Sequence, residues 1–234
     1  MTRPRVAAII TTYFPGSHAD VVVTRLLEGY TLYGVPTEPR VEVVSMYLDQ
    51  IAAKDIGRDL AAQHNVPIFE SIGEALAVGG HGLNVEGVVI IGEHGHYPVN
   101  EYEQTLYPRR RLFDAVVAAM VGAGRIVPIF SDKHLSWSFA YARRMVDTAT
   151  RLGISFLAGS SLPLAWRKPA LDWPLDGVVT DALVLGYSGL DSYGFHALET
   201  LQCMVERRQG GETGVRSVQC LTGEAVWQAG AAGR

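Results

Sequence analysis

Apolar residues along the first two thirds of this chain fall in short runs, and segments with helical spacing separate them. Residues 6–10 (VAAII) form a continuous apolar run closed by the turn-like TTYFPGS, which predicts a buried strand. The following HADVVVTRLLEGY sets Val22, Leu26, Leu27 and Tyr30 at helical intervals. The same alternation continues with strands at 41–46, 66–69, 85–91, 126–130 and 154–158. Between them lie helical stretches in DIGRDLAAQHN, SIGEALAVGG, RRRLFDAVVAAMVGAG and SFAYARRMVDTATRLG, the second opened by a serine cap and closed by glycine. Strand and helix in strict alternation predict a parallel sheet with helices on both faces. The rhythm breaks at 162–180, LPLAWRKPALDWPLDGVVT, which contains three prolines. A strand at 182–187, a helix through GFHALETLQCMVERR and a strand at 214–221 are expected beyond it. The expected fold class is therefore α/β, a Rossmann-like doubly wound parallel sheet over 1–161, followed by a smaller α+β domain over 162–234 for substrate binding or dimerisation.

Ligands of such sheets gather in the crevice at the carboxyl ends of the strands, and the polar residues of this chain concentrate there. The run at 88–91 empties into Glu93, His94, His96, Tyr97 and Glu101; the run ending at Phe130 is followed by Ser131, Asp132, Lys133 and His134. Thr11, Thr12, Tyr13 and His18 follow the first strand. If the backbone stays extended, His94 and His96 point to the same side, and two imidazoles with nearby carboxylates suit Zn²⁺ or Mn²⁺. Arg109, Arg110 and Arg111 open a helix, where cations oppose the dipole. A solvated face is their default reading, and anion binding the alternative.

Composition narrows the classes. With a formal charge of −4 and a pI near 6.0, no electrostatic footprint for nucleic acid is present. No apolar run approaches the ~18–20 residues of a membrane span, and the apolar stretch near the N-terminus is too short for a signal-peptide core. Cys203 and Cys220 have no metal-like spacing and are expected as buried thiols of a cytoplasmic protein.

At SDKHLSWSFAYARRMVDTATRLGISFLAGSSLP the chain resembles the glucose–fructose oxidoreductase and inositol dehydrogenase (Gfo/Idh/MocA-like) family, and the resemblance covers nearly the whole chain in order. Asp132-Lys133-His134 occupies the place of that family's Glu-Lys-Pro, and Gly194, His196 and Glu199 match its Gly-x-His-x-x-Asp with Glu for Asp. VPIFESIGEAL is similar to another strand-and-helix segment of the family. The resemblance implies a Rossmann domain plus a sheet-based second domain, with Lys133 at the catalytic lysine position and His196 and Glu199 as substrate-side acid–base groups. It also implies a dinucleotide turn, where Thr11, Tyr13 and Gly16 stand at the three glycine positions. A tyrosine side chain at the second would intrude on the pyrophosphate, and Pro15 removes a donor. Tyr47 stands at the ribose-binding place, and Asp49 follows two residues later.

These departures lead to an enzyme of lyase, isomerase or hydrolase type, acting by acid–base chemistry on a small polar substrate of the sugar or hydroxy/keto acid kind. Its catalytic set is Lys133, His134, Glu93, His96 and His196, and its metal ligands are drawn from His94, His96, Asp132, His134 and Glu199. No cofactor is fixed: Zn²⁺ or Mn²⁺ is the metal these residues would suit, and NAD(P) is disfavoured. Any remaining dinucleotide contact falls to Thr11, Thr12, Tyr13, Gly16 and Asp49. The alternative is an NAD(P)-dependent oxidoreductase with an atypical phosphate turn, and the second alternative a non-catalytic ligand-binding protein. A homodimer or higher homo-oligomer is expected, because two strands make a small sheet with open edges.

Overall fold

A computed structural model describes residues 2–233. The chain divides into two compact units, Met1–Ser161 and Leu162–Arg234. In the first, β1 (Arg5–Ile10), β4 (Glu42–Leu48), β5 (Ile68–Phe69), β6 (Gly87–Ile91), β7 (Ile129–Asp132) and β8 (Phe156–Gly159) form a six-stranded sheet in the order β5-β4-β1-β6-β7-β8. Every pairing in it is parallel. The order reverses direction between β1 and β6, the switch point at which a doubly wound sheet opens its crevice.

Period-two alternation divides the side chains of the central strands between two cores. Ala7 and Ile9 of β1, with Val88 and Ile90 of β6, pack beside Leu76 of α3 (Ile72–Ala77), Leu112, Phe113 and Met120 of α4 (Arg109–Gly122), and Met145 of α5 (Phe139–Leu152). Val6, Ala8 and Ile10, with Val89 and Ile91, pack on the other face with Val23 and with Ala61 of α2 (Gly57–Gln63). Both faces of β1 and β6 are covered, which is why these strands read as unbroken apolar runs. Each isoleucine so buried contributes about 1.5–3 kcal/mol.

The helix after β1 has a π turn at Asp20–Thr24 and continues as α1 (Arg25–Glu28). It stops at Gly29, whose φ of +91° reverses the chain into an antiparallel hairpin, β2 (Tyr30–Leu32) with β3 (Val35–Thr37). Tyr30, placed on the helix by its spacing, belongs to this hairpin. Ser71 caps α3 as expected, its Oγ accepting from Glu74 N at 3.2 Å while Glu74 Oε2 accepts from Ser71 N at 3.1 Å.

In the second unit the helix expected around His196 is α6 (Phe195–Val205), and α7 (Glu224–Ala231) follows. The strands expected at 182–187 and 214–221 do not form among the described residues; the only pairing seen in this unit is an isolated parallel bridge between Gly177 and Arg208. Leu183, Leu185, Tyr187, Val215 and Val218 are exposed. The burial expected of the two cysteines does not hold either: without the strand at 214–221 Cys220 is exposed, and Cys203 on α6 is only partly covered. Alternation prepares a strand face, but a strand exists only beside a hydrogen-bonded neighbour. No described helix is long and apolar enough to cross a membrane.

A candidate active-site crevice at the sheet switch point

The turn after β1 is built from the inside out. Thr11 Oγ1 donates to Glu93 O at 2.5 Å, tying the ends of β1 and β6 together. Tyr13 does not intrude on the crevice. Its ring is fully buried in the core with Ile10 and Val23, and its hydroxyl donates to Thr24 Oγ1 at 2.7 Å. Gly57 makes that seat possible, since a Cβ there would lie 2.8 Å from the Tyr13 Cβ. Burial pushes the phenol pKa up, so it stays neutral. The expected clash with a pyrophosphate is therefore corrected: an aromatic ring with core space and a hydroxyl partner is better buried than exposed. Further on, Ser17 Oγ accepts from Phe14 N at 3.2 Å, and Asp20 Oδ2 accepts from Gly16 N at 2.8 Å. Thr12 Oγ1 is buried without a hydrogen-bond partner.

At the ends of β6 and β7 the charged groups meet. Arg109, 1 % exposed, donates from Nη2 to Glu93 Oε2 at 2.5 Å, and its Nη1 lies 3.1 Å from His134 Nε2. Its guanidinium also stands 4.8 Å from the centre of the Tyr107 ring. Gly92 leaves room for this arginine, as a Cβ there would come within 2.6 Å of its Cγ. Lys133 Nζ stands 3.9 Å from the same Glu93 oxygen. Alongside, His18 Nδ1 and Asp132 Oδ2 are 2.6 Å apart. The His94 ring meets those of His18 and Phe14 edge-on, each at 5.3 Å. Burial holds the His94 pKa below the ordinary imidazole value, and its buried Nε2 has no hydrogen-bond partner.

His94 and Lys133 both have left-handed backbone, φ +67° and +62°. For residues with a Cβ this costs on the order of 1–3 kcal/mol each, strain that collects at functional sites. It also corrects the expectation for the two histidines. The left-handed step at His94, followed by φ +109° at Gly95, ends the extended run. His94 is consequently tucked against His18, while His96 is exposed and held through its main chain, its N donating to Gln50 Oε1 and its O accepting from Gln50 Nε2.

At the end of β4, Asp49 accepts from Arg111 Nη2 at 2.7 and 2.6 Å, from Tyr47 Oη at 2.7 Å and from Tyr97 Oη at 2.7 Å. Burial alone would raise this carboxyl, but the hydrogen bonds from Arg111, Tyr47 and Tyr97 outweigh it and hold the pKa below the usual range. In the second unit, His196 Nδ1 and Glu199 Oε2 are 3.1 Å apart, one turn from each other on α6. Two crevice residues escaped the sequence reading of roles: Arg109, absorbed into a solvated arginine run, and His18. Three cations in the first turn of α4 with no acid among them were the signal for the first.

No family profile matches this sequence, and no curated protein does. Among solved structures it is similar to GenD2 from gentamicin A biosynthesis in complex with NAD: TM-score 0.51, 20 % identity, covering 88 % of this chain and 55 % of that one. A UDP-N-acetylglucosamine 3-dehydrogenase, GnnA from Acidithiobacillus ferrooxidans, follows with TM-score 0.45 and 12 % identity over 74 % of this chain and 45 % of that one. Biliverdin reductase from Synechocystis sp. PCC 6803, a complex with biliverdin and NADP⁺, gives TM-score 0.42 and 15 % identity over 70 % and 39 %. The chain spans about half the length of the first of these. The likeness to GenD2 bears out the Rossmann-like parallel sheet that the sequence resemblance implied; the sheet-based second domain it also implied does not appear among the described residues. The expectation of Zn²⁺ or Mn²⁺ with NAD(P) disfavoured is overturned. Among the described residues no three His, Cys, Asp or Glu side chains are grouped to hold an ion, and the structure that shares this fold carries NAD.

Proposed function

We propose that the chain is an NAD(P)-dependent oxidoreductase acting on a small polar hydroxyl or carbonyl compound, of the sugar or hydroxy/keto acid kind. The observation that carries this reading is Lys133 beside the Glu93–Arg109 ion pair, at the strand ends next to the switch point. The first turn fits a dinucleotide in two respects: Tyr13 is withdrawn into the core, and the buried Thr12 hydroxyl still lacks the acceptor a phosphate oxygen would be. This reading displaces the lyase, isomerase or hydrolase one.

When bound, the dinucleotide supplies the hydride acceptor for oxidation or the donor for reduction. The residues of the chain then have to hold the substrate and move one proton. We assign that proton to Lys133 Nζ, which takes it from the substrate hydroxyl during oxidation and returns it to the carbonyl oxygen during reduction. Arg109 neutralises Glu93, so the carboxylate positions the lysine without an uncompensated buried charge. His94, kept neutral by burial, walls the crevice as an uncharged ring. Within the second unit, His196 and Glu199 form an acid–base couple of their own.

The test is an assay of the purified protein with NAD⁺ and NADP⁺ against sugars, polyols and hydroxy acids. Substrate-dependent appearance of the reduced nicotinamide is expected. Conversion of any such compound at an undiminished rate without dinucleotide would return the lyase or isomerase reading.

A further inference from the structure

The three arginines that open α4 have separate destinations. Arg109 is buried on Glu93, Arg110 pairs with Asp114 and lies over the Tyr141 ring, and Arg111 reaches the end of β4. In a sheet of this order the adenosine ribose rests at the end of the strand beside β1, and that strand is β4. A carboxylate there accepts from the ribose hydroxyls of NAD, whereas a guanidinium there receives the 2′-phosphate of NADP.

Asp49 holds the carboxylate position, but its acceptor capacity is already used. Two bonds from Arg111 and one each from Tyr47 and Tyr97 occupy its two oxygens, which offer about four lone-pair sites. The two partners also differ in what a ligand would meet: the Asp49 side chain is 11 % exposed and that of Arg111 is 54 % exposed. The carboxylate lies beneath, and the guanidinium is presented. Both bonds to Asp49 leave from Nη2, so other donors of the fork remain for a phosphate, the partner its planar geometry matches best.

We propose that this end of the crevice selects NADP over NAD, with Arg111 as the receptor of the 2′-phosphate and Asp49 as the residue that positions it. The proposal rests on the oxidoreductase reading and deepens it. Tyr47 and Tyr97 belong to the same device. They complete the solvation of Asp49, so that its charge is directed to the arginine rather than to a ribose.

The test is calorimetric or fluorescence titration of the intact protein with NADPH, NADH, 2′,5′-ADP and ADP. The wild type is expected to bind NADPH and 2′,5′-ADP roughly tenfold or more tighter than NADH and ADP, the change that one charge-assisted hydrogen bond carries. Arg111→Met should abolish the preference by lowering NADPH affinity about tenfold or more, since it removes the phosphate contact, while the two Asp49 acceptor sites it vacates leave NADH affinity no weaker. Arg111→Lys, which keeps the charge but loses the fork, should retain part of it and decides the matter if the methionine variant melts early. Asp49→Asn separates the two roles of that position. Under this proposal NADPH stays preferred; if Asp49 were the ribose acceptor, NADH affinity would fall about tenfold or more. Equal affinities for the two dinucleotides, or a preference for NADH, overturn the proposal and leave the oxidoreductase reading standing. Failure of the wild type to bind either one overturns both.

Discussion

Arg109→Met should lower the free energy of unfolding by about 3–5 kcal/mol, the cost of leaving a buried charge without its partner. Arg109 is 1 % exposed, and its partner Glu93 is buried as well. Removing the guanidinium strips Glu93 of its 2.5 Å contact and leaves it only Lys133, at 3.9 Å. The contacts with His134 and the Tyr107 ring are lost with it. The neighbours would be tested in the same series. Arg109→Met with Glu93→Gln should be less destabilised than the sum of the single variants, because the second change removes the stranded charge. Urea unfolding of the four proteins measures this. A loss under about 1 kcal/mol in the single variant would mean that water reaches the pair and that its burial is not a folding constraint.

Lys133→Met should reduce kcat/KM by about 10²–10⁴, the usual contribution of a positioned proton-transfer group. Its stability should stay within about 1 kcal/mol of the wild type. The two expectations are linked by the same ion pair. Glu93 keeps its short bond to Arg109 when the lysine is absent, so nothing buried is left unpaired. Methionine also retains the left-handed backbone at this position, φ +62°, and so neither relieves nor adds strain. Thermal melts alongside steady-state kinetics give both numbers. A large loss of stability would instead identify Lys133 as a structural member of the cluster.

What could be read from the chain was set by where each residue faces. Strands β1 and β6 were legible because helices bury both of their faces, which leaves an apolar run with no alternation to misread. The concentration of Glu93, His94, Asp132, Lys133 and His134 at strand ends was legible because parallel strands deliver their carboxyl ends to one edge. Local backbone was not. The left-handed step at His94 sends His94 and His96 to different surroundings, and no spacing rule registers it, since non-glycine residues seldom adopt that conformation. Tyr13 was misread for a related reason. A tyrosine at a glycine position suggests obstruction, and only the gap at Gly57, far along the chain, shows that the ring has somewhere else to go. In the second unit, alternating Leu183, Leu185 and Tyr187 made a strand pattern without supplying the neighbour that a strand needs. The arginine run failed in the opposite direction: Arg109, Arg110 and Arg111 look alike in sequence, yet one is buried, one lies over an aromatic ring and one is half exposed.

The crevice at the ends of β6 and β7 is proposed to hold the nicotinamide beside Lys133. A crystal structure of the protein grown with NADPH tests it most directly. The nicotinamide ring is expected over those strand ends in contact with Lys133, the pyrophosphate on the turn that carries Thr12, and the 2′-phosphate on Arg111. A dinucleotide bound elsewhere on the chain, with the Glu93–Arg109–Lys133 cluster in contact with none of it, would rule out that placement.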